Sequence, residues 1–233
     1  HKVRILDGLR EKIEYDPSEW DIVGVTAMST YFPECIQEVE RAKSYGLKTI
    51  IGGPHVICDP IQSLIDSGAD YAAIGEGERT LVQLASGIPP AQVDGLAYWE
   101  NGKAIQSKQS DKMIGDTESG NTTFVMKENM YTLQIGKLKR DFQVNIDDFG
   151  QPDWASIDPR TYPVVPHGMI AHAHPLAPII TTRGCPYSCT YCSAPITAGK
   201  RMRYRDTKNV VDEIEMLVND FGVKEIQIED DNF

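Results

Sequence analysis

Short apolar runs alternate with helix-length amphipathic stretches, each punctuated by glycine, and this constrains the 233-residue chain more than any other feature. Asp21-Ile22-Val23-Gly24-Val25-Thr26 is an apolar run closing on small and hydroxyl residues, as a buried parallel strand does. Pro33 and Glu34 open a helical stretch with Ile36, Val39 and Ala42 three apart, and Gly46 stops it. Thr49-Ile50-Ile51 predicts a second strand, broken by Gly52-Gly53-Pro54, and Ile61, Leu64 and Ile65 mark one face of another short helix. Tyr71-Ala72-Ala73-Ile74 predicts a third strand, followed by Gly75-Glu76-Gly77-Glu78 and a helix carrying Leu81, Val82 and Leu84. Such alternation predicts a parallel sheet with helices wound on both faces. By pattern alone, an α/β sheet without any ligand fits as well.

Between residues 91 and 178 the pattern changes. Leu96-Ala97-Tyr98-Trp99 and Ala104-Ile105, joined by Glu100-Asn101-Gly102-Lys103, spell a hairpin with an Asn-Gly turn. Residues 107–150 are polar with isolated Gly, Asn and Asp, and read as a loop-rich connector or insertion. Pro152, Pro159, Pro163, Pro166, Pro175 and Pro178 punctuate an extended linker. Its His167, His172 and His174 lack further clustered ligands and read as a solvent-facing loop. Beyond it, Ile179-Ile180-Thr181-Thr182 predicts a strand. Asp206-Thr207 caps a helix with Val210, Val211, Ile214, Leu217 and Val218, closed by Gly222, and Glu225-Ile226-Gln227-Ile228 alternates as a strand. The domains so read are 1–90, 91–178 and 179–233. The last is one β-α-β unit, which cannot close a barrel or bury a core alone.

That unit carries three cysteines in eight residues: Cys185, Cys189 and Cys192 in Arg183-Gly184-Cys185-Pro186-Tyr187-Ser188-Cys189-Thr190-Tyr191-Cys192. The spacing lets one tight loop aim three thiolates at a common centre. Three is one short of the four that a closed zinc site or most iron–sulfur clusters take, which leaves a position open for chemistry. Cys35, beside the apolar face of a helix, and Cys58, in a loop, read as packing or incidental residues rather than a fourth ligand. A zinc knuckle is the structural alternative; a redox dithiol at Cys189 and Cys192 leaves Cys185 unexplained. An odd, clustered set of five cysteines argues against a disulfide framework and for a reducing, cytoplasmic setting.

The cysteine loop resembles the signature of the radical S-adenosylmethionine superfamily, C-x-x-x-C-x-aromatic-C with Tyr191 as the aromatic. The preceding Arg-Gly-Cys-Pro-Tyr and the following Ser193-Ala194-Pro195 resemble it too. The resemblance implies that Cys185, Cys189 and Cys192 hold three irons of a 4Fe-4S cluster, and that the fourth iron binds S-adenosylmethionine. It implies the start of a radical (β/α) partial TIM barrel with the loop at the carboxyl end of its first strand. Carboxylates among Glu229, Asp230 and Asp231, at the end of the next strand, would face the S-adenosylmethionine ammonium; plain loop solvation is the alternative.

Gly52-Gly53-Pro54-His55 and Gly75-Glu76-Gly77-Glu78 resemble the cobalamin-binding, Rossmann-like (flavodoxin-like) domain that precedes the radical domain in one branch of that superfamily. By that resemblance Gly52, Gly53, Gly75 and Gly77 would let backbone approach a corrinoid. Glu76 lies within the second motif, and Thr26, Ser29 and Thr30 could bond the nucleotide tail. His55 reads as a contact to that tail or to solvent rather than as a cobalt ligand. His1-Lys2-Val3-Arg4-Ile5-Leu6-Asp7 matches a segment that family members place after a first strand and helix, so the expectation is a fragment.

The implied activity is a cobalamin-dependent radical S-adenosylmethionine methyltransferase acting on a small-molecule substrate, with an electron donor such as flavodoxin or ferredoxin. The alternatives are a corrinoid-independent radical enzyme (a cyclase, a rearrangement or a methylthiotransferase-like reaction) and a non-catalytic metal-binding module. Net charge of −11 gives no basic footprint for nucleic acid or anionic membrane, and no apolar run approaches the roughly 20 residues of a membrane span.

Overall fold

The computed structural model describes residues 2–8, 10–107, 123–127, 130–135, 138–162 and 171–232. They divide into two compact units, one of Tyr15–Val144 with Ser188–Lys200, the other of His1–Glu14, Asn145–Tyr187 and Arg201–Phe233. These units cut across the boundaries expected from sequence. The first fourteen residues leave the first α/β segment, and the 96–106 hairpin joins it.

The first unit is built on a five-stranded sheet. β1 (Ile22–Thr26), β2 (Lys48–Gly52) and β3 (Tyr71–Ala73) are parallel. β4 (Leu96–Glu100) and β5 (Lys103–Gln106) add antiparallel, so spatial order follows sequence order. The hairpin turn is the expected Asn101-Gly102, with φ of 50° and 74°, the paired positive values of a tight turn matched to strand twist.

Successive strand residues face opposite sides. Ile51, Ala72 and Ala97 pack with Phe32, Cys35 and Val39 of α1 (Phe32–Ser44), Val56 of α2 (Pro54–Cys58) and Leu64 of α3 (Pro60–Ser67). Ile50, Ala73, Leu96 and Tyr98 pack on the other face with Val93, Ile88 and Leu84 of α4 (Gly77–Ala85). The sheet is therefore covered on both sides, as the alternation predicts.

The 107–150 segment differs from its loop-rich expectation. β6 (Thr123–Lys127), β7 (Met130–Ile135) and β8 (Leu138–Gln143) form an antiparallel sheet. A four-residue helix, α5 (Ala194–Thr197), completes this unit and packs against α2.

In the second unit β9 (Leu176–Ile179) pairs with a later parallel strand, β12 (Glu225–Ile228). β10 (Thr182–Arg183) and β11 (Arg203–Tyr204) form a short antiparallel ribbon beside them. The strand expected at 179–182 is thus moved earlier and split. Pro175 and Pro178 disguise it in sequence, although β9 carries Pro178 opposite Gln227. α6 (Thr207–Phe221) starts at Asp206, whose side chain accepts from Lys208 N–H, and ends at Gly222 in the left-handed conformation, as its capping residues predict. Val210, Ile214 and Leu217 pack on Ala177, Ile179, Ile226 and Trp154, whereas Val211 and Val218 are exposed. Among the described residues no helix is long and apolar enough to cross a membrane.

Asp70, just before β3, ties β2 to β3. One oxygen accepts from Thr49 N–H at 2.9 Å and Thr49 Oγ1 at 3.0 Å, the other from Lys48 at 3.1 Å. Burial opposes the charged form, but these donors outweigh it and hold the carboxyl below its ordinary value. A depressed folded value means stability present above the unfolded value and lost as pH falls through the folded one. Replacing Asp70 by Ala is expected to cost about 1–3 kcal/mol at neutral pH. It should also flatten the fall in stability below about pH 4, where the unfolded carboxylate titrates. Denaturant melts of both proteins at stepped pH check this.

Candidate functional site

Parallel strands bring their carboxyl ends to one edge; Thr26, Gly52 and Gly75 stand at such ends in the first unit, and Asp230 in the second. In the first unit β1 ends at Thr26, in register with Gly52 at the end of β2. Gly53 follows with φ of 110°, and a Cβ there would meet Ala27 O at 2.9 Å and Ala27 N at 3.3 Å. The close approach that demands glycine at 53 is therefore made by the chain's own backbone, not by a ligand. It permits two bonds that close the edge: Ala27 N–H donates to Gly52 O at 2.6 Å, and His55 N–H to Ala27 O at 3.1 Å.

Gly52 is different, because its added Cβ would make only an ordinary 3.6 Å contact with Ala73. Gly75 has φ of 86° and enters the Glu76 turn, while Gly77 opens α4. Glu76 accepts from Gln143 N–H at 3.1 Å, so its carboxylate holds the end of β8 within this unit.

The imidazole of His55 stacks on Phe32, with ring centroids 3.8 Å apart, and its Nδ1 lies 3.1 Å from Ser29 Oγ. Ser29, Thr26 and Thr30 are exposed at the same edge. Hydroxyls and an imidazole gathered at a strand-end edge offer hydrogen-bond donors and acceptors to a ligand there. Sequence reasoning missed α2. Gly52-Gly53-Pro54 reads as the end of a strand, yet Pro54 at the first helical position is the signal for α2.

The cysteine loop runs from β10 to α5. All five cysteines are free thiols. Cys35 is buried, 3% exposed, and burial pushes its thiol up to about 11, which makes it a packing residue as expected. Cys58 is exposed and its thiol lies 3.5 Å from Pro54 O. Cys185 is half-buried, while Cys189 and Cys192 are exposed. Cys192 N–H donates to Cys189 O at 3.2 Å, and Ala194 N–H donates to Cys192 Sγ at 3.4 Å. A backbone donor to sulfur is the kind of bond that tunes an iron–sulfur ligand.

Among the described residues no group of three or more His, Cys, Asp or Glu side chains is gathered to hold a metal ion. The donor set is chemically suited to a soft metal or an iron–sulfur cluster: three free thiols on one short loop. Tyr191 is 91% exposed on that loop.

At the carboxyl end of β12 the three acidic candidates separate. Asp230 accepts from Thr181 N–H at 2.7 Å and Thr182 N–H at 3.0 Å on one oxygen, and from Thr181 Oγ1 at 2.5 Å on the other. That carboxylate braces the strand end ahead of Cys185. Glu229 and Asp231 are exposed, with Glu229 N–H bonded to Ile179 O at 2.9 Å.

His172 and His174 are not a plain solvent loop. The N–H groups of His172 and Ala173 donate to Glu225 at 2.6 and 2.7 Å, and His174 carries a buried Nε2 without a partner. These bonds hold Glu225 below its ordinary value, the Ala173 N–H contributing most. His167 lies outside the described residues.

Residues 5–85 match the family model of the B12 binding domain and residues 179–232 that of the radical SAM superfamily. An uncharacterized methyltransferase of Pyrococcus horikoshii is 26% identical across 100% of this chain and 46% of its own length. The anaerobic magnesium-protoporphyrin IX monomethyl ester cyclase of Cereibacter sphaeroides is 30% identical across 87% of the chain and 29% of its own length. The structure of the radical S-adenosylmethionine methyltransferase TsrM from Kitasatospora setae, with cobalamin and a [4Fe-4S] cluster bound, superposes with a TM-score of 0.59 at 21% identity. It covers 92% of this chain and 38% of TsrM, a likeness of fold. The chain spans less than half the length of the curated relatives it matches. A match to the B12 binding domain followed by a match to the radical SAM superfamily is a pairing and order by which the chain resembles the cobalamin-binding radical S-adenosylmethionine family.

Proposed function

We propose that this chain supplies the corrinoid site and the iron–sulfur loop of a cobalamin-dependent radical S-adenosylmethionine methyltransferase acting on a small-molecule substrate. The observation that carries the reading is the pairing of two family matches in one chain. α5, which follows the cysteines, packs on α2, which follows Gly52-Gly53, and this adjacency supports it. When bound, the cluster with S-adenosylmethionine supplies a carbon radical, and cobalamin supplies a transferable methyl group.

The chain's own residues have separable tasks. Cys185, Cys189 and Cys192 present three thiolates and leave one iron open. Glu229 and Asp231, uncommitted and exposed, complement the S-adenosylmethionine ammonium, while Asp230 holds the strand end. Tyr191 offers an apolar face beside the same loop. Thr26, Ser29 and Thr30 bond the corrinoid tail, and Gly52 and Gly75 keep the edge open to it. His55, fixed by Phe32 and Ser29, offers its second nitrogen to the same ligand. A thiol-ligated, oxygen-sensitive cluster would suit a reducing, cytoplasmic setting with a flavodoxin- or ferredoxin-type electron donor.

Ring closure without methyl transfer is the second reading, favoured by the 30% identity to the cyclase. S-adenosylmethionine labelled in its methyl group separates the two: label in the product supports methyl transfer, and an unlabelled product supports cyclisation.

Anaerobic reconstitution of the full-length protein should give roughly four iron and four sulfide per chain. Alanine at Cys185, Cys189 or Cys192 should each abolish S-adenosylmethionine cleavage and lower bound iron, measured by product chromatography and iron assay. Full cleavage by any one of the three variants contradicts the ligand assignment. For the corrinoid edge, Ser29→Ala and Thr26→Val should each weaken hydroxocobalamin binding about 3- to 10-fold, one hydrogen bond's worth. Titration followed by corrinoid absorbance reads this, and Ser86→Ala, on the far end of α4, should leave the affinity unchanged.

A further inference from the structure

The core stripe of α6 contains a carboxylate. Glu213 lies between Val210 and Leu217 on the face packed against the strands and is 1% exposed. A buried charge is costly unless paired and fully hydrogen-bonded. Glu213 has both: Trp154 Nε1–H donates to one oxygen at 2.8 Å, and Arg205 Nη1 donates to the other at 2.5 Å. Trp154 is itself buried, and the Arg205 side chain is only 10% exposed.

The pair does more than neutralise itself. Arg205 Nη1 also donates to Ile180 O at 2.9 Å, and Arg205 N–H donates to Thr181 O at 3.0 Å. Its Nε lies 3.9 Å from Asp147, whose other bonds go to Asp206 N–H and Asn209 at the start of α6. Ile180 and Thr181 are the residues that leave β9 and enter the Thr182–Arg183 ribbon directly ahead of Cys185. From the opposite side the same stretch is held by Asp230 through Thr181 and Thr182. Backbone that has left a parallel ladder needs substitute partners for its N–H and C=O groups. Here two carboxylates provide them, Asp230 directly and Glu213 through a guanidinium.

We propose that Glu213 and Arg205 are positioning residues for the iron–sulfur site, fixing the Ile180–Thr181 strand end from which Cys185 is presented. The proposal rests on the cluster reading of the cysteine loop given above. Neither residue touches the thiols; they act through the strand end. A purely structural ion pair would be exchangeable for neutral side chains of similar volume at little cost in stability. A positioning pair would not be exchangeable without a change at the cluster.

The test is the double variant Arg205→Met with Glu213→Gln in the full-length protein. It removes both buried charges together, keeps an acceptor for Trp154, and deletes the donor to Ile180 O. Circular dichroism and the melting midpoint of the cluster-free protein report the fold. Iron content and the electron paramagnetic resonance spectrum of the reduced cluster, with and without S-adenosylmethionine, report the site. Asp212→Asn, which removes the exposed Lys208–Asp212 pair on the same helix, is the control.

The expected result is an unchanged fold, bound iron at least about twofold lower than wild type, and a shifted or heterogeneous spectrum, with the control indistinguishable from wild type. Wild-type iron and spectrum in the folded double variant overturn the proposal. If the double variant fails to fold, Arg205→Lys decides. It keeps the charge beside Glu213 but reaches Ile180 O poorly, and a wild-type spectrum in it overturns the proposal equally. Failure of the wild-type protein to bind iron would instead overturn the cluster reading, leaving the two failures distinguishable.

Discussion

Parallel pairing imposes one requirement on both units of this protein. The parallel strands of each unit deliver their carboxyl ends to the same edge, and there the backbone runs out of ladder partners. Each unit satisfies that edge in its own way. At the sheet of β1 to β5, Ala27 and His55 close it with main-chain bonds, which is possible only because Gly53 lets the two backbones approach within contact distance. At the β9–β12 pair, side chains do the work: Asp230 takes the N–H groups of Thr181 and Thr182, and Arg205 takes the carbonyl of Ile180. Ser29 and Thr30 follow the first closure by two and three positions, and Cys185 follows Thr182 by three.

This arrangement explains why residues of similar type have different tasks. Three acidic residues in a row end β12, but strand geometry points successive side chains to opposite sides. Asp230 is turned back to the strand end, and Glu229 and Asp231 remain exposed. The paired glycines divide in the same manner: Gly53 is required by the fold, whereas Gly52 leaves room for something else. Both divisions are consequences of local backbone direction rather than residue chemistry.

Much of the first unit, and the long helix of the second, was legible because both follow simple periodicities. The Val23-Gly24-Val25 and Ile50-Ile51 runs, the Pro33 helix start, the Asn101-Gly102 turn and the Asp206–Gly222 caps each have one physical reading, and each forms where that reading puts it. The three strands within 123–143 were not legible, because the isolated Gly, Asn and Asp residues around them outweigh the short strand-forming runs Phe124-Val125-Met126 and Tyr131-Thr132-Leu133. β9 was displaced because Pro175 and Pro178 read as linker. Glu213 was missed although its signal was present: a carboxylate at i+3 from Val210 and i−4 from Leu217 sits in the apolar stripe and demands a buried partner. The cysteine loop was legible as a motif, while the packing of α5 on α2 was not, because contact between segments some 140 residues apart leaves no mark in local pattern.

The central claim is that one chain holds an iron–sulfur cluster and a corrinoid together. Iron, cobalt and zinc per chain test it most directly. They are measured by elemental analysis of protein purified without oxygen from cells supplied with cobalamin. The account predicts roughly four iron to one cobalt, with zinc well below stoichiometric. One zinc per chain, with neither iron nor cobalt retained, would contradict it.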